Sequence, residues 1–252
     1  MLDVVTFKWS KPGYRSTYTG EHVNIMERMT RRHYDAPYRF TCVTDDATGI
    51  DQTRVRVVPL WDDFRDMPSP HGGNNPSCFR RLKLYSHEAR QWFGPRILQI
   101  DLDMVLVSDV RPLWDRPEPE GVLWADNLNP TSPYNGAMQL IAPGVHDVWE
   151  RFKADPAACI ELARKSRFFG SDQAQLALHL GPNMPRWRVS DGAVSWRVHI
   201  RQTPRGEAHI PFRPDVDCVS DLPAGARCVN FHGIDEPYRV APFVPWVAEN
   251  YK

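Results

Sequence analysis

Nowhere in this 252-residue chain do about 18 apolar residues run together, so no segment is composed to cross a bilayer as a helix. The opening residues, Met1-Leu2-Asp3-Val4-Val5-Thr6-Phe7-Lys8, lack a basic stretch ahead of a long apolar one, which argues against an export signal. Net charge is missing as well: 31 basic and 31 acidic residues cancel, and neither sign forms a long block. That excludes a general role on nucleic acid or on a membrane surface, so partners must be recognised locally. Cysteine is sparse: Cys42, Cys78, Cys159, Cys218 and Cys228 are odd in number and include no Cys-x-x-Cys pair. Neither a disulfide framework nor a zinc ribbon is encoded, and a reducing cytoplasm is the expected location.

Two catalytic signatures are also absent. Without a Gly-x-Ser-x-Gly elbow, His71-Gly72-Gly73-Asn74 has no serine nucleophile to serve, and an esterase is excluded. Without Gly-x-x-x-x-Gly-Lys-Ser/Thr, so are P-loop enzymes.

What is present is enough apolar material, 42% of residues, for a large core, and one α/β domain is expected over residues 1–252. Residues 3–7, 39–44 and 54–59 read as strands, while 23–34 carries Val23, Met26 and Met29 at helical spacing. Helical character is expected over 79–93, 145–152 and 171–180, and strands over 121–125, 138–142, 186–200 and 227–231. Alternation of this kind implies a mixed, mostly parallel sheet flanked by helices, with functional loops at the strand ends. Prolines 204, 211, 214, 223, 237, 242 and 245 predict an irregular C-terminal part without long helices. Residues 61–78 hold too much Pro, Gly and Asn for a regular element and read either as a lid or acceptor-binding segment or as a loop without function.

The sharpest feature lies within residues 95–107, an apolar run interrupted by Asp101-Leu102-Asp103. On a strand the two carboxylates point to one side while Leu102 packs behind them. Like charges so placed repel unless a cation sits between them, and oxygen ligands suit Mg2+ or Mn2+.

The ordered set Thr44-Asp45-Asp46, Arg80-Arg81-Leu82-Lys83, Asp101-Leu102-Asp103, Tyr134-Asn135-Gly136-Ala137-Met138, Ser171-Asp172-Gln173 and Phe231-His232-Gly233 resembles that of GT-A fold glycosyltransferases. It is most similar to the retaining group that includes glycogenin and the bacterial lipopolysaccharide galactosyl- and glucosyltransferases. The resemblance implies a metal-dependent enzyme that moves a sugar from a nucleotide-sugar, a UDP-sugar by preference, to a saccharide, a lipid-linked glycan or a protein. It implies a nucleotide-binding half over 1–115 and a sugar and acceptor half over 116–252, and retention of anomeric configuration. Asp101, Asp103 and His232 would be the metal ligands, with Asp101 also at the ribose. An imidazole beside two carboxylates favours Mn2+, with Mg2+ second.

Lys8, Trp9, Tyr14, Asp45, Arg80, Lys83, Asp101 and Asn135 are the matching donor-binding positions, Trp9 and Tyr14 as stacking rings and Asp45 or Asp46 at the base or ribose. Asp126, Asp172 and Gln173 match the catalytic, sugar-facing positions, where carboxylates and amides suit hydroxyls. Asp172 equally suits the start of a helix. One departure stands out. The family lysine four residues after the histidine is here Glu236, in Glu236-Pro237-Tyr238, and Lys8, Arg80, Arg81, Lys83 and Arg239 are the cations considered in its place. Two alternatives remain: a non-catalytic nucleotide-sugar or glycan-binding protein on this fold, and a sugar nucleotidyltransferase. The latter expects a Gly-rich loop where this chain has Lys8-Trp9-Ser10-Lys11-Pro12-Gly13.

Overall fold

A strand whose every residue is apolar or paired can be covered on both faces, and Leu2–Lys8 is one: all seven residues of β1 are buried. The computed structural model describes residues 1–9, 17–70, 77–125, 132–202, 209–217, 219 and 221–252. After β1 come α1 (Gly20–His33), β2 (Tyr38–Thr44), β3 (Arg56–Pro59) and two 3-10 helices, Phe79–Tyr85 and His87–Gln91. Then follow β4 (Ile97–Ile100), β5 (Met104–Leu106), α2 (Arg111–Trp114), β6 (Val122–Ala125), β7 (Tyr134–Ile141), α3 (Val148–Ala154), α4 (Pro156–Lys165) and α5 (Asp172–Leu180). The chain closes with β8 (Arg186–Trp187), β9 (Ala193–Ser195), a π-helical turn (Trp196–Ile200), β10 (Cys228–Asn230), α6 (Pro237–Val240) and α7 (Pro245–Asn250).

Seven strands form a sheet in the order β3-β2-β1-β4-β7-β6-β8. β3, β2, β1 and β4 run parallel, while β7 is antiparallel to β4 and β6. Strands from before and after residue 115 share this one sheet, since β6, β7 and β8 continue it. Side chains alternate between two cores. Val4, Leu98 and Ile100 join one with Val23, Met26 and Met29 of α1; Val5 and Ile97 join the other with Phe79, Leu82, Phe152 and Leu176. A smaller sheet, β5-β10-β9, lies beside it, with β10 antiparallel to β5 and parallel to β9.

Four expectations change. Residues 95–107 do not form one strand: β4 belongs to the large sheet and β5 to the small one, and Asp101-Leu102-Asp103 is the turn between them. The Asp101 N–H donates to the Ala137 carbonyl at 2.9 Å and the Met104 N–H returns to the Asp101 carbonyl at 3.3 Å, so the chain bends where it leaves β4. Residues 79–93 form two 3-10 helices because Ser86 interrupts them, its hydroxyl donating to the Lys83 carbonyl at 2.7 Å and accepting from the Ala89 N–H at 3.1 Å. Residues 186–200 break into β8, a 3-10 turn, β9 and the π-helical turn, with Gly192 at φ +94° reversing the chain. Helix α4 was not expected, although Asp155 caps it through Ala158 N–H at 2.9 Å and Pro156 occupies its first position. As expected, the C-terminal helices are short. Among the described residues no helix is long and apolar enough to cross a membrane.

Leu102 is 4% exposed and lies in the same core as Ile100, Met104, Trp196 and Phe231. Leu102→Ala should therefore lower the unfolding free energy by about 2–4 kcal/mol, read from urea denaturation followed by tryptophan fluorescence.

Candidate active site

The end of β4, the start of β7 and the start of α5 converge on one guanidinium. Arg81, buried in the 3-10 helix Phe79–Tyr85, donates from Nε to Asp172 Oδ2 at 2.8 Å and holds the same oxygen from Nη2 at 2.6 Å. Its Nη1 donates to Asp101 Oδ1. Two carboxylates that would repel are thus joined through a shared cation. Gly136 lies against the pair: a Cβ there would stand 3.1 Å from Arg81 Nη2 and 3.2 Å from Asp172 Oδ2. Asn135, beside it on β7, accepts from the Ala137 N–H at 2.8 Å, which orients its amide.

Asp101 is held from behind as well. Gln99 Nε2 donates to Asp101 Oδ1 at 2.7 Å, and Gln139 Nε2 donates to Gln99 Oε1 at 2.7 Å. Tyr85 Oη donates to Gln139 Oε1 at 2.8 Å. Gln99 and Gln139 are cross-strand partners of β4 and β7, so the register itself builds this chain of donors through the core. Both protein donors use Oδ1, and Oδ2 receives no hydrogen bond from the described residues. Burial pushes Asp101 up to about 6, against the opposing pull of Arg81.

Asp172 is the first residue of α5, one position after the N-cap Ser171, so the helix start lies beside Arg81. Gln173 follows, with Gly170 (φ +96°) giving it room: a Cβ at 170 would stand 2.3 Å from Gln173 Cγ.

At one end of the small sheet the Phe231 N–H donates to the Asp103 carbonyl at 2.9 Å, with His232 the next residue along. His232 Nε2 shares a hydrogen bond with Ser195 Oγ at 2.7 Å. Burial, with Arg197 and His199 nearby, pushes His232 down to about 4 and keeps the ring neutral at pH 7, the form that binds a metal. The donor chemistry of Asp101, Asp103 and His232 suits Mn2+. Among the described residues, however, no three His, Cys, Asp or Glu side chains are drawn together as a metal-ready group.

Other expected positions are placed elsewhere. Lys8 ends β1 buried, with Nζ donating to the Asp46 carbonyl at 2.5 Å and 3.4 Å from Asp46 Oδ2, so it engages Asp46 rather than the exposed Asp45. Trp9 packs edge-on against Phe7. Arg80 turns away to the Trp61 carbonyl, with Nε at 2.9 Å. Lys83 pairs with Asp63 at 2.7 Å and lies over the rings of Trp61, Trp92 and Trp149. Tyr14 and Asp126 lie outside the described residues, as does part of the 61–78 loop. Glu236 is buried and accepts from Tyr18 Oη. The residues that sequence reasoning missed are Gln99, Gln139 and Tyr85. Their signal was present in two glutamines within otherwise apolar strands, one of them two residues before Asp101.

This sheet order, with the small sheet appended at the Asp101-Leu102-Asp103 turn, is that of a GT-A glycosyltransferase fold. Structures that share it include the galactosyltransferase LgtC in complex with donor and acceptor sugar analogs (TM-score 0.59, 14% identity, 99% of this chain and 96% of that one). Mouse xyloside xylosyltransferase 1 matches at TM-score 0.53 and 13% identity over 91% of this chain and 98% of that one. The glycosyltransferase GlyE of Streptococcus pneumoniae matches at TM-score 0.54 and 13% identity over 94% of this chain and 55% of that one. The sequence matches no protein-family model and no curated protein.

Arg81→Met leaves Asp101 and Asp172 together without their cation and should destabilise the fold by about 3 kcal/mol at pH 7. Adding Asp172→Asn should return part of that loss. Urea unfolding of the two variants decides it, and equal midpoints would show that the pair does not depend on Arg81.

Proposed function

We propose that this protein is a glycosyltransferase that moves a sugar from a nucleotide-sugar donor, a UDP-sugar by preference, to a saccharide, lipid-linked glycan or protein acceptor. The observation that carries the reading is Asp101 and Asp172 joined by Arg81 at the strand ends of a GT-A fold.

In this reading Asp101 presents its unbonded Oδ2 to the donor, while Arg81 and Gln99 fix the opposite oxygen. Asn135 and Gln173 contact sugar hydroxyls, with Asp126 as a further contact. Asp172, held by Arg81, faces the anomeric carbon, where a fixed negative group stabilises positive charge developing at the ring. Retention of configuration belongs to the reading through the sequence resemblance. Asp101, Asp103 and His232 would hold Mn2+, or Mg2+ in its place, and the ion would offset charge on the leaving diphosphate without proton transfer. The scattered cysteines of the sequence support a cytoplasmic setting.

Calorimetric titration of UDP and of GDP, with Mn2+ and with chelator, tests the donor class. One nucleotide should bind tightly only with Mn2+, and Asp103→Ala should weaken that binding by roughly tenfold or more, as loss of a charged ligand does. The unfolding midpoint of Asp103→Ala should stay close to that of the parent, because the side chain lies at a turn. Binding that ignores Mn2+, or an Asp103→Ala variant that binds as the parent does, would sink the metal part of the reading.

A further inference from the structure

The fold leaves one question about the donor diphosphate, namely which cation meets it when position 236 carries a glutamate. Lys8, Arg80, Arg81 and Lys83 are each committed to protein partners. Arg239 lies against Tyr238, 5.5 Å from the ring centre. A different arginine stands beside His232.

Arg197 belongs to the π-helical turn that follows β9. A Cβ on Gly233 would come within 3.3 Å of Arg197 Nη1, which places the guanidinium against the Phe231-His232-Gly233 segment, where the absent side chain lets guanidinium and backbone approach. The guanidinium is half-buried, yet it makes no hydrogen bond or ion pair with any described residue. Its neighbouring carboxylate, Asp235, is already engaged by three other donors: Trp196 Nε1 donates to Oδ2 at 2.8 Å, Arg201 Nη1 donates to Oδ2 at 2.9 Å and the Phe212 N–H donates to Oδ1 at 2.8 Å. Arg201, four residues on, takes both Asp235 and Asp217.

A half-buried guanidinium without a hydrogen bond or ion pair to any described residue favours an anion, and its planar fork matches the oxygens of a phosphate. We propose that Arg197 is the diphosphate-binding cation of the donor site, with Gly233 as the gap through which it reaches the phosphates. This rests on the nucleotide-sugar reading for its biological ligand, but the anion site itself can be tested without that reading.

Three proteins suffice: the parent, Arg197→Met and Arg197→Lys. Inorganic pyrophosphate, UDP, GDP and the nucleosides uridine and guanosine would each be titrated in the presence of Mn2+. Arg197→Met should lose pyrophosphate binding and weaken the preferred nucleotide by about tenfold, the scale of one charge-assisted contact, while nucleoside affinity stays unchanged. Arg197→Lys should fall between the two, because it keeps the charge and loses the fork. The urea midpoint of Arg197→Met should match the parent, which separates lost binding from lost fold. If the parent binds pyrophosphate through Arg197 but neither nucleotide, the anion site stands and the donor reading fails. If the parent binds a nucleotide and Arg197→Met binds it equally well, the donor reading stands and Arg197 is not its cation. Failure of the parent to bind pyrophosphate or either nucleotide, or equal losses for nucleoside and nucleotide, also overturns the assignment.

Discussion

One buried guanidinium sets the geometry of the candidate site. Arg81 answers carboxylates from two separate elements, and a buried charge pair is stable only when its geometry and remaining hydrogen bonds are fixed. The neighbours of Arg81 supply that fixity. Arg80 is tied to the Trp61 carbonyl, Trp61 Nε1 donates back to the Arg80 carbonyl at 2.7 Å, and Lys83 is held among three tryptophans and Asp63. All seven residues of the 3-10 helix are buried, so rotating it would expose or unpair several of them at once. Gly136 completes the constraint from the sheet side, because a Cβ there would press on Arg81 Nη2 and Asp172 Oδ2.

The Asp101-Leu102-Asp103 turn does a different job. By leaving one sheet and entering another, the chain gives two carboxylates only two residues apart different protein neighbours. Asp101 belongs to the Arg81 group at the end of β4, and Asp103 belongs to the His232 end of the small sheet. Leu102, buried between them in sequence, anchors the turn. A continuous strand would have presented both carboxylates on one face with one set of neighbours. The break gives each acid its own surroundings: burial, Arg81 and Gln99 act on Asp101, while the charge of Asp103 acts on Tyr18 and Tyr251, both pushed up by burial first.

How much of this could be read from sequence depends on what each residue needed. Strands β1, β2 and β3 were legible because apolar runs bounded by polar residues mark buried strands whatever surrounds them. Asp101, Asp103 and Asp172 stood out because carboxylates next to buried apolar residues demand a partner. Which of the cations turns to the acids was not legible, for a physical reason. In a helix of three residues per turn, positions three apart eclipse, so Arg80 and Lys83 share one face and Arg81 takes another. Arg80 and Lys83 therefore turn to the 61–70 segment and its tryptophan, and Arg81 turns to the acids. Ser86 causes the difference by breaking the longer helix that the apolar pattern suggests. Gln99 and Gln139 were overlooked because their partnership exists only in the β4–β7 register, which no local pattern reveals.

Glu236 shows how one charge can change place without emptying a site. A carboxylate at that position cannot meet a diphosphate, and here it does not try: it is buried, takes the Tyr18 hydroxyl, and so fastens the residues before α1 to the start of α6. Tyr18, His22 and Tyr238 pack edge to face beside that bond. A lysine substituted there would lose the phenol as donor partner and bury a cation among aromatic edges, which carry the positive part of the ring quadrupole. The positive charge stands instead on Arg197, beside His232 and half open to solvent, where it need not be desolvated before an anion arrives. The Phe231–Tyr238 segment thus has a cation against Gly233 and an acid-built anchor at Glu236.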